Sequence, residues 1–179
     1  MKKFLTFALA AALCTPVFAQ KTGSSNSNAP TVEQTISAGG AKMTLNYTSI
    51  TWASGKTLET AMDKENGAGT RDYINGQATK KPLAMFSTTV AVTCGDLKLE
   101  AGDYKVYYTI SEACEWQINF AGKDDKVATM KLPLMDNGQP SKRLMMCLYA
   151  GDSEGAGVYV AFGEKMCMLD FKPAKADKK

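Results

Sequence analysis

Residues 102–110 read GDYKVYYTI, and residues 116–120 follow as WQINF. In the first stretch Tyr104, Val106, Tyr108 and Ile110 fall on one side of an extended chain, with Lys105, Tyr107 and Thr109 on the other. In the second, Trp116, Ile118 and Phe120 alternate with Gln117 and Asn119. Successive side chains on a strand point to opposite faces, so a period of two marks strands with one face buried. The same beat recurs outward from this centre. Upstream, Met43, Leu45 and Tyr47 alternate with Lys42, Thr44, Asn46 and Thr48. Residues 83–93 (LAMFSTTVAVT) are rich in β-branched side chains, with Val90, Val92 and Cys94 on one face, and Leu97 and Leu99 alternate with Asp96, Lys98 and Glu100. Downstream, residues 127–132, 143–149, 158–162 and 165–171 complete the set. Turn-forming residues lie between the runs: Cys94-Gly95-Asp96, Ala101-Gly102-Asp103, residues 122–125 and Asp136-Asn137-Gly138. Gly163-Glu164, between the last two runs, suits a two-residue hairpin with glycine first. The pattern predicts an all-β fold, an antiparallel β-sandwich of about eight or nine strands.

One segment departs from the beat. Residues 56–65 (KTLETAMDKE) place Leu58, Ala61 and Met62 at helical spacing, and Gly67 or Gly69 stands where a helix would end. The stretch that follows is polar and contains Arg71, Asp72 and Tyr73. Residues 54–81 are therefore expected to leave the sheet as one short helix or a long loop, the kind of excursion in which sites are often built.

The two ends read differently from the body. Lys2 and Lys3 precede an apolar run over residues 4–13, and Val17-Phe18-Ala19 offers small residues for cleavage after Ala19. That is an export signal over residues 1–19, too short for a spanning helix of about 20 apolar residues. Its short basic region is bacterial in style, so the expected destination is the periplasm or the exterior. Residues 20–35 begin as QKTGSSNSNAPT and are expected to form a flexible leader, with the β-sandwich over 36–171 and a Lys-rich disordered tail over 172–179. No later stretch is long and apolar enough to predict a transmembrane segment.

Composition narrows the chemistry. The chain of 179 residues holds 21 basic and 18 acidic side chains, and the excess of base sits at the two ends. Residues 20–171 carry a net charge of −2. No basic stripe is visible for a nucleic-acid backbone to follow, so no nucleic-acid partner is expected. There is no histidine, which removes Ser-His-Asp and Cys-His catalysis and every histidine-ligated metal site.

The strand and turn residues carry a family resemblance. Ala101-Gly102-Asp103-Tyr104-Lys105-Val106, followed by Glu115-Trp116-Gln117-Ile118-Asn119-Phe120, resembles the core of the domain of unknown function 2911 family of exported bacterial proteins. Thr88-Thr89-Val90-Ala91-Val92 resembles the strand before that core, and residues 36–47 its opening strand. Arg143-Leu144-Met145-Met146 and residues 158–163 resemble its closing strands. The resemblance spans most of the chain after Ala19. It implies an exported β-rich domain without an assigned activity. Residues 54–81 stand where the family carries a Gly-Ala-Asn-Glu segment, so no site is carried over there.

Candidate sites come from the residues themselves. Cleavage leaves Cys94, Cys114, Cys147 and Cys167. An even count in an exported protein predicts disulfides, and pairing neighbours along the chain gives Cys94–Cys114 with Cys147–Cys167. Trp52, Tyr73, Tyr107 and Tyr159 are candidates for an aromatic platform for a sugar or peptide, with Arg71 beside Tyr73 as a further ligand contact. Asp124-Asp125 and Asp152-Ser153-Glu154 lack ordered calcium-loop spacing. The methionines, including Met145-Met146 and Met166/Met168, raise copper(I) as a ligand, but they form no Met-x-x-Met cluster and read as packing. No catalytic residue, metal ligand or cofactor site is assigned. The expected function is a non-enzymatic envelope module that binds a small molecule, glycan or envelope protein. The alternative is a hydrolase or carbohydrate-active enzyme using carboxylates near residues 54–81, which calls for two carboxylates about 5–10 Å apart in a pocket.

Overall fold

A computed structural model describes residues 28–51, 56–123, 126–151 and 155–174. The expected export signal and most of the expected leader lie outside these residues, as do Trp52, Asp124, Asp125 and residues 152–154.

The fold is all-β, as the period-two pattern predicts. Strands β1 (Thr31–Ala38) and β2 (Ala41–Thr48) open the chain. They are joined by Gly39-Gly40, both at positive φ, 57° and 77°. Two consecutive positive-φ residues make the hairpin turn whose twist matches the strands, and glycine adopts it without strain. The strand begins at Thr31, so the expected leader over residues 20–35 is too long at its end. Only alternate residues of β1 are partly covered, which is why its polar character masks a strand at the sheet edge.

After the helical excursion come β3 (Ala84–Thr88), β4 (Val92–Cys94), β5 (Leu97–Leu99), β6 (Gly102–Ile110), β7 (Trp116–Ala121) and β8 (Val127–Lys131). The last two strands are β9 (Met135–Ala150) and β10 (Ala156–Pro173). One antiparallel sheet runs β1-β2-β3-β6-β7-β8, the other β5-β4-β10-β9. The run over residues 83–93 is thus two strands in two sheets, with Thr88 Oγ1 donating to the Val90 carbonyl at the crossing. β10 reaches Pro173, so residues 172 and 173, expected in a disordered tail, belong to the sheet.

β10 is not straight. Gly155 and Phe171 would lie about 50 Å apart along an extended strand at ~3.3 Å per residue. Instead, a Cβ on Gly155 would stand 2.5 Å from the Phe171 carbonyl oxygen. The Tyr149 hydroxyl, whose ring covers Gly157, donates to Asp170, and the Tyr159 hydroxyl lies 3.8 Å from Met166 Sδ. All three contacts require the chain to double back at Gly163, which takes φ 53°. This is the hairpin that the Gly163-Glu164 pair predicts. Residues 156–162 pair with β9, and residues 172–173 pair with β4.

One core lies between the sheets. Phe86, Phe120 and Phe171 form a three-ring contact across it, with centroids 5.8, 5.1 and 5.9 Å apart. Such pairs contribute about 0.5–1.5 kcal/mol beyond their buried area. β9 also closes one side of the sandwich. Leu144 N donates to the Ile50 carbonyl, and the Gln34 side-chain amide pairs with Met146 O and Leu148 N.

The excursion holds two helices rather than one, α1 (Lys56–Ala61) and α2 (Ala68–Ala78). Arg71, Ile74 and Ala78 are the buried residues of α2, too narrow an apolar stripe for periodicity to reveal it. Tertiary contacts hold it in place. Asn75 Oδ1 accepts from Ile110 N while its Nδ2 donates to Ile110 O, and Ile74 packs with Ala61, Tyr108 and Ile110. Gly67 makes the join possible, because a Cβ there would meet the Thr60 carbonyl at 2.3 Å.

Candidate functional site

A cleft of about 680 Å³ opens where the start of β7, the approach to β9, the β10 turn and Met62 just after α1 meet. Its floor is apolar: Trp116, Phe162, Leu134 and Met62. Its rim is polar: Ser141, Lys142, Glu164 and Lys165. Trp116 packs between Tyr108, at 4.7 Å, and Phe162, at 5.6 Å between ring centroids. Lys165 Nζ lies 2.6 Å from Asp136 Oδ1, which holds the Asp136 carboxyl below its usual range and raises Lys165. The pair is exposed and sets where the charge sits rather than adding stability. The volume falls within the range of small-molecule pockets, roughly 300–1,000 Å³. The arrangement suits a molecule with a flat apolar body and polar groups at its edge.

The expected ligand contacts do not gather here. Trp52 lies outside the described residues. Tyr73 is 66% exposed on α2, Tyr107 is buried on β6, and Tyr159 is half-buried on the far side of the β9–β10 sheet. The three described members of the expected aromatic platform thus stand on three different elements. Arg71 is buried, and its Nη1 donates to Ala61 O at 2.9 Å, Asp63 O at 2.7 Å and Cys114 Sγ at 3.3 Å. It ties α1, the following turn and the β6–β7 connection together instead of facing a ligand.

The expected disulfides are also absent: Cys94, Cys114, Cys147 and Cys167 are all free thiols. The reason is geometric. Cys147 pairs with Tyr159 on the outer face of the β9–β10 sheet and is exposed. Cys167 is fully buried on the inner face with Leu169 and Phe171. Cys94 is in the same core, whereas Cys114 sits at φ 60° in the turn beside Arg71. A bridge needs Cα atoms within about 7 Å and converging Cβ vectors, which opposite sheet faces do not give. Burial pushes the Cys94 thiol up to about 11 and the Cys167 thiol up to about 12.

Asp63 is the carboxylate of the excursion that the fold takes up. Asp63 Oδ1 accepts from Glu65 N and Asn66 N, and these bonds lower its pKa and fix the turn between the helices. Of the cleft residues, Glu164 is the one carboxylate lining it among the described residues. Those residues also include no group of three Cys, Asp or Glu side chains placed to hold a metal ion, and no helix long and apolar enough to cross a membrane.

Sequence reasoning missed this cleft. Trp116 and Phe162 read as core residues on their strands, and the Gly163-Glu164 turn was legible. What the sequence does not reveal is that the turn comes to rest beside the start of β7. Comparison with known proteins finds no matching family model, no matching curated protein and no matching solved structure.

Proposed function

We propose that this chain is an exported bacterial envelope protein, of the kind the domain of unknown function 2911 resemblance implies, and that it binds a small molecule without transforming it. The observation that carries the reading is the cleft floored by Trp116 and Phe162. It offers apolar area for a ligand body and a mixed-charge rim to orient it. The ligand class is a flat apolar molecule bearing polar or charged substituents. The signal-like N-terminus supports the exported location.

Binding stabilises the folded state by mass action, about 2.7 kcal/mol when the free ligand is 100 times Kd. A thermal-shift screen over aromatic acids, amines and glycosides should return compounds that raise Tm and perturb tryptophan fluorescence through Trp116. The rise should vanish for a hit in the Phe162→Ala protein and persist in the Tyr73→Ala protein. Hits that respond to Tyr73→Ala and ignore Phe162→Ala would move the site to the helical excursion and defeat the reading.

A further inference from the structure

The outer face of β9 and β10 carries a concentration of accessible sulfur. Met135, Met145 and Met168 are 47%, 44% and 46% exposed, three of the six large apolar side chains exposed among the described residues. The same chain buries Met43 completely and Met146 to 3%, so exposure here is not its general habit. Register places Met166 directly opposite Met135. Met166 and Met168 are alternate residues of one strand and share a face. Paired neighbours on a sheet have Cβ atoms about 4.5–5.5 Å apart, and the Met135–Met168 diagonal is roughly 7–8 Å. Three flexible thioether side chains at those spacings can converge on one atom with metal–sulfur bonds of about 2.3 Å. The Tyr159 hydroxyl, 3.8 Å from Met166 Sδ, flanks the cluster. The Asp136–Lys165 ion pair sits one residue along each strand and therefore points to the opposite face.

We propose that Met135, Met166 and Met168 form a binding site for a soft monovalent cation, Cu⁺ or its redox-inert analogue Ag⁺. Thioethers are neutral and polarizable, so they select soft ions over zinc, calcium and magnesium. They also carry no proton to lose, so the ion binds equally well in mild acid, where thiolate and imidazole sites release metal. The site is separate from the cleft and does not depend on it. Sequence spacing hides it because Met135 reaches the other two only through strand pairing.

The test uses protein beginning at Gln20 with methionine methyl groups labelled with carbon-13, on a Cys147→Ser background that removes the one exposed thiol among the described residues. Titration with Ag⁺ should saturate at one equivalent. The methyl signals of Met135, Met166 and Met168 should move together while Met43 stays still, and affinity should match at pH 5 and pH 7. Met166→Leu/Met168→Leu should weaken binding by at least about ten-fold, and Met135→Leu should do so separately if the double variant folds poorly. Loss of binding with Cys147→Ser alone, binding that survives both methionine variants, or affinity that falls between pH 7 and pH 5 would each overturn the proposal.

Discussion

The two faces of β10 put the same kinds of residue to opposite uses. On the inner face Cys167, Leu169 and Phe171 are 0%, 1% and 1% exposed. On the outer face Met166, Met168 and Asp170 look outward, with Cys147 of β9 in the neighbouring row. One residue of offset separates a sulfur sealed in the core from one that solvent reaches. Parity along the strand, rather than residue type, decides which cysteine or methionine is structural. The inner face is bound to the other sheet through rings, whereas on the outer face Asp170 accepts from the Tyr149 hydroxyl of β9.

The largest effect should come from the inner face. Phe171→Ala removes the ring that meets both Phe86 and Phe120, and should cost about 3–5 kcal/mol. In a domain of this size that lowers Tm by roughly 10 °C. Met168→Ala, three residues away, should change stability by less than about 0.5 kcal/mol. Equal losses in the two variants by thermal or urea unfolding would abolish the distinction between the faces.

The fold-back that creates the two faces can be broken directly. A methyl group on Gly155 would press on the Phe171 carbonyl, a backbone atom that cannot swing aside. Gly155→Ala should therefore cost about 1–3 kcal/mol, the usual range for overpacking. Gly157→Ala meets only the movable Tyr149 ring. It should displace that ring from Asp170 and cost about 1 kcal/mol, the worth of one hydrogen bond. A milder effect at Gly155 than at Gly157 would contradict the doubled-back strand.

Much of this was legible from residues alone. Alternation located β2, β6, β7 and the inner face of β10, because half-buried strands write their burial into every second residue. Gly163-Glu164 marked the fold-back. Three features were not legible, each for a physical reason. β1 is an edge strand whose alternate residues are only partly covered, so Gln34 and Thr35 read as leader although Gln34 bonds to β9. α2 forms because Asn75 and Arg71 find distant partners, which local periodicity does not encode. The cysteine pairing failed because proximity along the chain says nothing about sheet face. The cleft and the methionine cluster share that cause, since both exist only after residues far apart along the chain have met.

The buried thiols make a smaller, pH-dependent contribution. Their ordinary value is 9.0, and burial raises Cys94 to about 11 and Cys167 to about 12. Below pH 9 both states hold the protons and stability is unaffected. Above it the unfolded chain ionises first, so stability should fall as pH rises from about 9 towards 11–12, on the order of 1 kcal/mol per pH unit per thiol. Tyr149, raised to about 12 by burial and by Asp170, adds to the decline above its ordinary 10.0. Urea midpoints from pH 8 to 10.5 would show this slope, and a flat profile would place both thiols in solvent.

Thiol counting with a coloured disulfide reagent tests the contrast between the faces most directly. On protein beginning at Gln20, one thiol, Cys147, should react fast under native conditions. Cys94, Cys114 and Cys167 should join it only as the chain unfolds, for a total of four. A Cys147–Cys167 bridge in unfolded, unreduced protein, or fast native reaction at Cys167, would contradict the assignment of Cys147 and Cys167 to opposite faces of one sheet.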